Sequence, residues 1–183
     1  MNVRETFTPR PGTVFFQADY EQLELHTLAQ VCIKLFGYSA LGDALNRGLD
    51  PHTEIAAEIL GIAPEEARRR RKDKSDKEFY LARQCGKVAN FGLPGGLGVA
   101  RFVDFARAGY GVTIAPDLAK QIKKAWLRRW PEMTSYFDRI STLTNNPEGQ
   151  FTLVDPFTGR VRGGVQYTNG CNAVSYTHLT LPT

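Results

Sequence analysis

The stretch that most limits the fold is 83–98, where a helix has to run and then has to stop. Arg83-Gln84-Cys85-Gly86-Lys87-Val88-Ala89-Asn90-Phe91 contains no proline, and Gly92-Leu93-Pro94-Gly95-Gly96-Leu97-Gly98 follows at once. Glycine and proline at that density do not continue a helix, so the chain turns there. At about 100° per residue, Arg83, Lys87 and Phe91 fall at about 0°, 40° and 80°, whereas Leu81, Cys85, Val88, Ala89 and Gly92 fall at about 140° to 240°. The helix predicted over 77–91 therefore has a core-facing side of small and apolar residues, and two cations and a ring along another stripe about 12 Å long. Cations four residues apart repel each other unless an anion lies over them. A triphosphate has the length for such a ladder, with the ring left to pack against a base or sugar. The alternative is a solvated basic face with Phe91 turned to the core.

Elsewhere the spacing of apolar residues predicts a helix-rich chain. Leu25, Leu28, Ala29, Cys32, Leu35 and Phe36 make one amphipathic helix closed by Gly37. Shorter helices are expected over 41–47, 52–60 and 64–71, with Pro51 and Pro64 in first-turn positions, and others over 99–108, 116–129 and 132–143. Thr13-Val14-Phe15-Phe16-Gln17-Ala18-Asp19 reads as a short buried strand ending at an acid. A closing hairpin is expected from 151–154, a turn at 155–159, and 160–166. The fold class is α+β, with minor strands at both ends.

Composition removes several function classes. The 183 residues carry 23 Lys+Arg and 19 Asp+Glu, a net charge of +4, which leans toward an anionic partner without naming one. With 42% hydrophobic and 23% charged residues the chain is not disordered, and no apolar run approaches the ~20 residues of a membrane span. Three cysteines without a CxxC exclude a disulfide framework or zinc finger and, with no secretory-type N-terminus, lead us to expect a cytoplasmic protein. The basic run 68–71 suits a solvated helix end that adds non-specific attraction to an anionic partner.

Asp19 stands at the predicted strand end, where the fold is most rigid, which suits a metal ligand. It also suits a cap for the helix that follows. Magnesium takes few carboxylates, and a two-metal site needs at least two; Asp19 supplies one, with the Tyr20 carbonyl beside it.

Two motifs in order then resemble the family A DNA polymerases. Asp19-Tyr20-Glu21-Gln22-Leu23-Glu24-Leu25 is similar to the first palm motif, D-Y-S-Q-I-E-L. The run from Arg83 to Gly92 is similar to the fingers motif R-x-x-x-K-x-x-x-[FY]-G. Between them, Asp50-Pro51-His52-Thr53 resembles the D-I-H segment beside the incoming nucleotide, and Thr8-Pro9-Arg10-Pro11-Gly12 resembles the stretch before the first motif. The resemblance covers roughly residues 3–172. It implies template-directed addition of dNTPs to a primer 3′-OH by two-magnesium phosphoryl transfer, with primer-template DNA as partner and any processivity factor unspecified. It implies that Asp19 and the Tyr20 carbonyl bind the magnesium ions and that Arg83, Lys87 and His52 contact the triphosphate. Glu24 would exclude a ribose 2′-OH, Phe91 would pack on the deoxyribose and base, and Tyr20 and Gln22 would belong to the same nucleotide pocket. Arg160 and Arg162 are candidates for DNA phosphates, or for a solvated surface, and Asn172 for a position near the templating base.

On that likeness, 1–40 would be the first part of a palm, 41–145 a helix-rich fingers subdomain inserted in it, and 146–173 the return to the palm. The chain departs from the pattern at Gly95, where many members carry a tyrosine, and after Ala173, where a His-Asp motif would bring the second carboxylate. There it reads Val174-Ser175-Tyr176-Thr177-His178-Leu179, and 174–183 is expected to be a non-native tail on an incomplete, inactive piece. The rivals are a single-subunit RNA polymerase, which a bulky Glu24 disfavours, and a basic DNA-binding protein without catalysis.

Overall fold

The computed structural model describes residues 6–144 and 152–176. Eight helices lead in chain order to a hairpin and a last helix: α1 (Leu23–Phe36), α2 (Ala40–Asn46), α3 (Pro51–Leu60), α4 (Pro64–Arg70), α5 (Lys77–Gly92), α6 (Val99–Tyr110), α7 (Pro116–Arg129), α8 (Glu132–Thr144), β1 (Thr152–Val154), β2 (Val161–Gly163) and α9 (Tyr167–Tyr176). This is the expected α+β architecture, strongly weighted to helix.

The boundaries follow from local chemistry. Pro51, Pro64 and Pro116 each open a helix, where a missing N–H costs nothing. Gly37, Gly61 and Gly111 each close one in the left-handed conformation. Asp76 caps α5 by accepting from the Phe79 N–H at 2.9 Å, and its other oxygen accepts from Arg70 Nε at 2.6 Å, which ties the end of α4 to the start of α5.

One apolar core runs from α1 to α9, with Trp126, Trp130, Tyr136 and Phe102 fully buried in it. Burying each large side chain contributes about 2–3 kcal/mol. α3 lies against α5, α4 and α7, and Glu54 on α3 binds α4 and α7 by charge. Its buried carboxylate meets Arg68 at 3.3 Å and Arg129 at 2.7 Å. A second link is Glu132, which accepts from Ser39 Oγ at 2.7 Å and the Leu41 N–H at 2.9 Å and so fixes the start of α2 to α8.

Two expectations are corrected, and one element is new. Residues 13–19 form no strand: Val14 is 87% and Phe16 90% exposed, and Asp19 lies in an exposed stretch without regular structure. A strand needs a neighbour for its backbone groups, and among the described residues β1 pairs only with β2. Leu81, expected on the core side of α5, is 56% exposed, because the helix turns Ala82, Cys85 and Gly86 inward instead. Tyr167–Tyr176 forms a helix that the sequence pattern did not indicate. The hairpin is as expected, antiparallel with Leu153 opposite Arg162. Of the tail, 174–176 continue α9, whereas 177–183, with His178, lie outside the described residues, as does Phe151.

Candidate nucleotide site

α5 presents Arg83, Lys87 and Phe91 as a half-buried stripe. It comes close to α3 because position 86 is a glycine. A Cβ there would stand 2.5 Å from the His52 carbonyl oxygen, a distance no side chain tolerates. The close approach brings the His52 ring within 5.4 Å of the Phe91 ring, centroid to centroid.

Asp50, the N-cap of α3, organises the other end of the stripe. Its carboxylate accepts from Thr53 Oγ1 at 2.7 Å and from Arg83 Nε at 2.9 Å, and Arg71 lies 3.5 Å away. Burial works to raise the Asp50 pKa, but the bond from Thr53 and the charge of Arg83 outweigh it, and the net direction is down. Arg83 is thereby held by one edge, and its terminal nitrogens make no hydrogen bond among the described residues. Lys87 has no carboxylate within salt-bridge distance among the described residues, and its ammonium lies 6.0 Å from the Tyr110 ring centroid. His52 is pushed down to about 4, first by burial and then by Arg83, Lys87 and Arg71, against the opposing pull of Asp50. At neutral pH it is an uncharged imidazole among cations.

Clefts lie beside this stripe and beside its partner Asp50, and one of about 440 Å³ is lined by Arg83 with Arg71, Asp76 and Tyr80. A narrow one of about 10 Å³ is lined by Glu24, Leu25, Phe91, Gly95 and Asn172 among others. Glu24 on α1, Phe91 on α5 and Asn172 on α9 thus converge from three separate parts of the chain. A wider polar one, about 250 Å³, lies between Glu21, Gln22, His26, Asp50 and Arg71. Gln22 opens α1 in the left-handed conformation, φ 56°, the only described non-glycine residue to do so. Such an outlier costs about 1–3 kcal/mol and tends to mark a functional turn.

A sequence model of DNA polymerase family A matches residues 1–162. The chain belongs to DNA polymerase family A. It is 26% identical over 139 residues to DNA polymerase I of Aquifex aeolicus, covering 76% of this chain and 22% of that protein. It is 30% identical over 137 residues to DNA polymerase I of Chloroflexus aurantiacus, covering 75% and 12%. For DNA polymerase I of Geobacillus stearothermophilus the identity is 29% over 139 residues, covering 75% and 14%. The chain thus spans about a fifth or less of the length of the curated relatives it matches.

For a family A chain, the described metal donors are few. Asp19 and the Tyr20 carbonyl are hard oxygens of the kind magnesium takes, but they lie on the exposed stretch before α1. Among the described residues no three His, Cys, Asp or Glu side chains cluster as a metal site would need. One carboxylate does not make a two-metal centre, so the described residues do not fit the pair of ions by themselves. Arg160 and Arg162 are exposed on the hairpin and do not line any of these clefts. No helix among the described residues is long and apolar enough to cross a membrane.

Two participants lay inside the motifs quoted from the sequence but were given no role there. Asp50 carried a signal, an acid directly before a proline, which marks an N-cap. Asn90 carried none beyond being a poor helix former in mid-helix. It is 1% exposed and bonded on both sides.

Proposed function

We propose that this chain is the nucleotide-selecting part of a DNA-directed DNA polymerase, a cytoplasmic enzyme that extends a primer 3′-OH on a DNA template and releases pyrophosphate. One observation carries this: Arg83, Lys87 and Phe91 form a single half-buried stripe, with His52 against the ring and Glu24 lining the cleft beside it. Arg83 and Lys87 take the triphosphate by charge-assisted hydrogen bonds, and His52 adds a neutral donor. Phe91 supports the sugar and base, and Glu24 fills the space a 2′-OH would need. Gln22 and Tyr20 border the pocket. Arg160, Arg162 and Asn172 face DNA, where phosphate contacts set position rather than sequence.

In this scheme α2–α8 act as the fingers, within 41–145, while α1, the hairpin and α9 belong to the palm, within 1–40 and 146–173. Asp19 and the Tyr20 carbonyl are its magnesium ligands. Because the described residues offer one such carboxylate, we expect the chain alone to bind a dNTP without extending a primer. Equilibrium dialysis with dATP tests the site: Lys87→Ala and Arg83→Ala each weaken binding about tenfold or more, the loss of one charge-assisted contact. Glu24→Ala narrows the preference for dATP over ATP. Binding of dATP that neither cation substitution weakens would overturn the assignment.

A further inference from the structure

Asn90 sits where three hydrogen bonds decide the state of His52. Its Oδ1 accepts from both Trp126 Nε1, at 2.9 Å, and Trp130 Nε1, at 3.1 Å. An indole N–H only donates, so the atom on which two of them converge is the amide oxygen, and the amide cannot be the other way round. Its NH₂ then faces His52 Nδ1 at 3.1 Å. That nitrogen has to accept, which leaves the ring proton on Nε2. A cationic His52 would set an N–H against the Asn90 NH₂, with no acceptor between them. All four side chains are buried, His52 being 5% exposed, so water does not relieve the mismatch.

We propose that Asn90, anchored by the two indoles, is a positioning residue that holds His52 neutral with its proton on Nε2, ready to donate to a phosphate oxygen; the phosphate role rests on the nucleotide site proposed above. The surrounding charges do not dictate this state. Asp50 beside α3 favours the cation, whereas Arg83 and Lys87 on α5 and Arg71 after α4 oppose it. None of them makes a hydrogen bond to a ring nitrogen of His52 among the described residues. The amide does.

Nitrogen NMR of the ¹⁵N-histidine-labelled chain reads the tautomer directly, with His26→Gln and His178→Gln variants assigning the other two rings. In the unaltered chain Nδ1 is expected to resonate as unprotonated and Nε2 as protonated, at about pH 7 and still at about pH 5. Asn90→Asp keeps the size, leaves an acceptor for the indoles and turns an acceptor toward Nδ1. It is expected to move the proton to Nδ1 or to charge the ring, with the titration midpoint rising by at least about one pH unit. The Trp126→Phe/Trp130→Phe double variant frees the amide to turn over, and is expected to give a mixture of tautomers. A proton on Nδ1 in the unaltered chain overturns the proposal, as does an unchanged ring in whichever of these variants folds. Adding dATP separates the two inferences. The expected tautomer with no shift at Nε2 would remove the phosphate contact and leave the positioning role standing.

Discussion

Asp50 Oδ2 lies 2.9 Å from Arg83 Nε, so the residue that caps α3 also holds the first cation of the α5 stripe. The Asp50 side chain is 5% exposed and that of Arg83 29%, which makes this one of the better-shielded ion pairs of the fold. Asp50→Ala removes the cap and leaves a half-buried guanidinium without its partner. A cap contributes about 1 kcal/mol and a broken buried pair about 3–5, and partial exposure reduces the second figure. A total loss of about 2–4 kcal/mol is expected in urea unfolding. Asp50→Asn retains the cap and should lose less: its own loss against the unaltered chain reports the charge, and the further loss in Asp50→Ala reports the cap.

The stability of the chain should fall in mild acid because of His52. Its folded pKa, about 4, is below the ordinary 6.5, so the unfolded state binds the extra proton first as pH drops. The contribution is fully present above about pH 6.5 and is lost as pH falls from there to about 4, up to about 3 kcal/mol. Asp50, whose pKa is also lowered, adds its own loss only below the carboxylate range. Urea midpoints at pH 7 and pH 5 should therefore differ. In His52→Asn, which has nothing to titrate there, that difference should shrink.

Gly86→Ala sets two effects against each other. Alanine in a helix interior gains about 1 kcal/mol over glycine. The new Cβ, however, would meet the His52 carbonyl oxygen at 2.5 Å, and a backbone atom held in α3 cannot swing aside. Overpacking costs about 1–3 kcal/mol, and a clash this short belongs at the upper end. A net loss of about 2 kcal/mol in urea unfolding is the expected outcome, with the His52–Phe91 contact disturbed. A stabilised variant would show that α3 and α5 slide apart freely.

Most helices were legible because their signals are local. Gly37 and Gly61 end α1 and α3, Pro64 and Pro116 open α4 and α7, and the apolar spacing of Leu25, Leu28, Ala29 and Cys32 marks the buried face of α1. The stripe of Arg83, Lys87 and Phe91 was legible for the same reason, being one face of one helix. What failed depends on distant partners. Val14, Phe15 and Phe16 have strand-like character, but strand formation requires a second chain segment alongside. Tyr167–Tyr176 contains Asn169, Gly170 and Asn172, and its helix is packed in place by α1 and α8. The Asn90 network joins α3, α5 and α7 over separations that no periodicity records.

Gly95 tests the narrow cleft. It is buried in the 3-10 turn Leu93–Gly95, and a Cβ there would lie 2.7 Å from Asn172 Oδ1. Unlike the carbonyl opposite Gly86, this atom is the end of an exposed, rotatable side chain. Gly95→Ala should therefore displace Asn172 rather than separate the helices, at a cost of no more than about 1 kcal/mol, the price of one off-rotamer side chain. In an Asn172→Ala background the obstacle is gone and the same substitution should be neutral. The double-mutant cycle should thus give a coupling of about 0.5–1 kcal/mol, typical of residues in contact. Additive effects would mean that Asn172 does not pack on this turn in solution, and the convergence of α9 on Glu24 and Phe91 would lose its support.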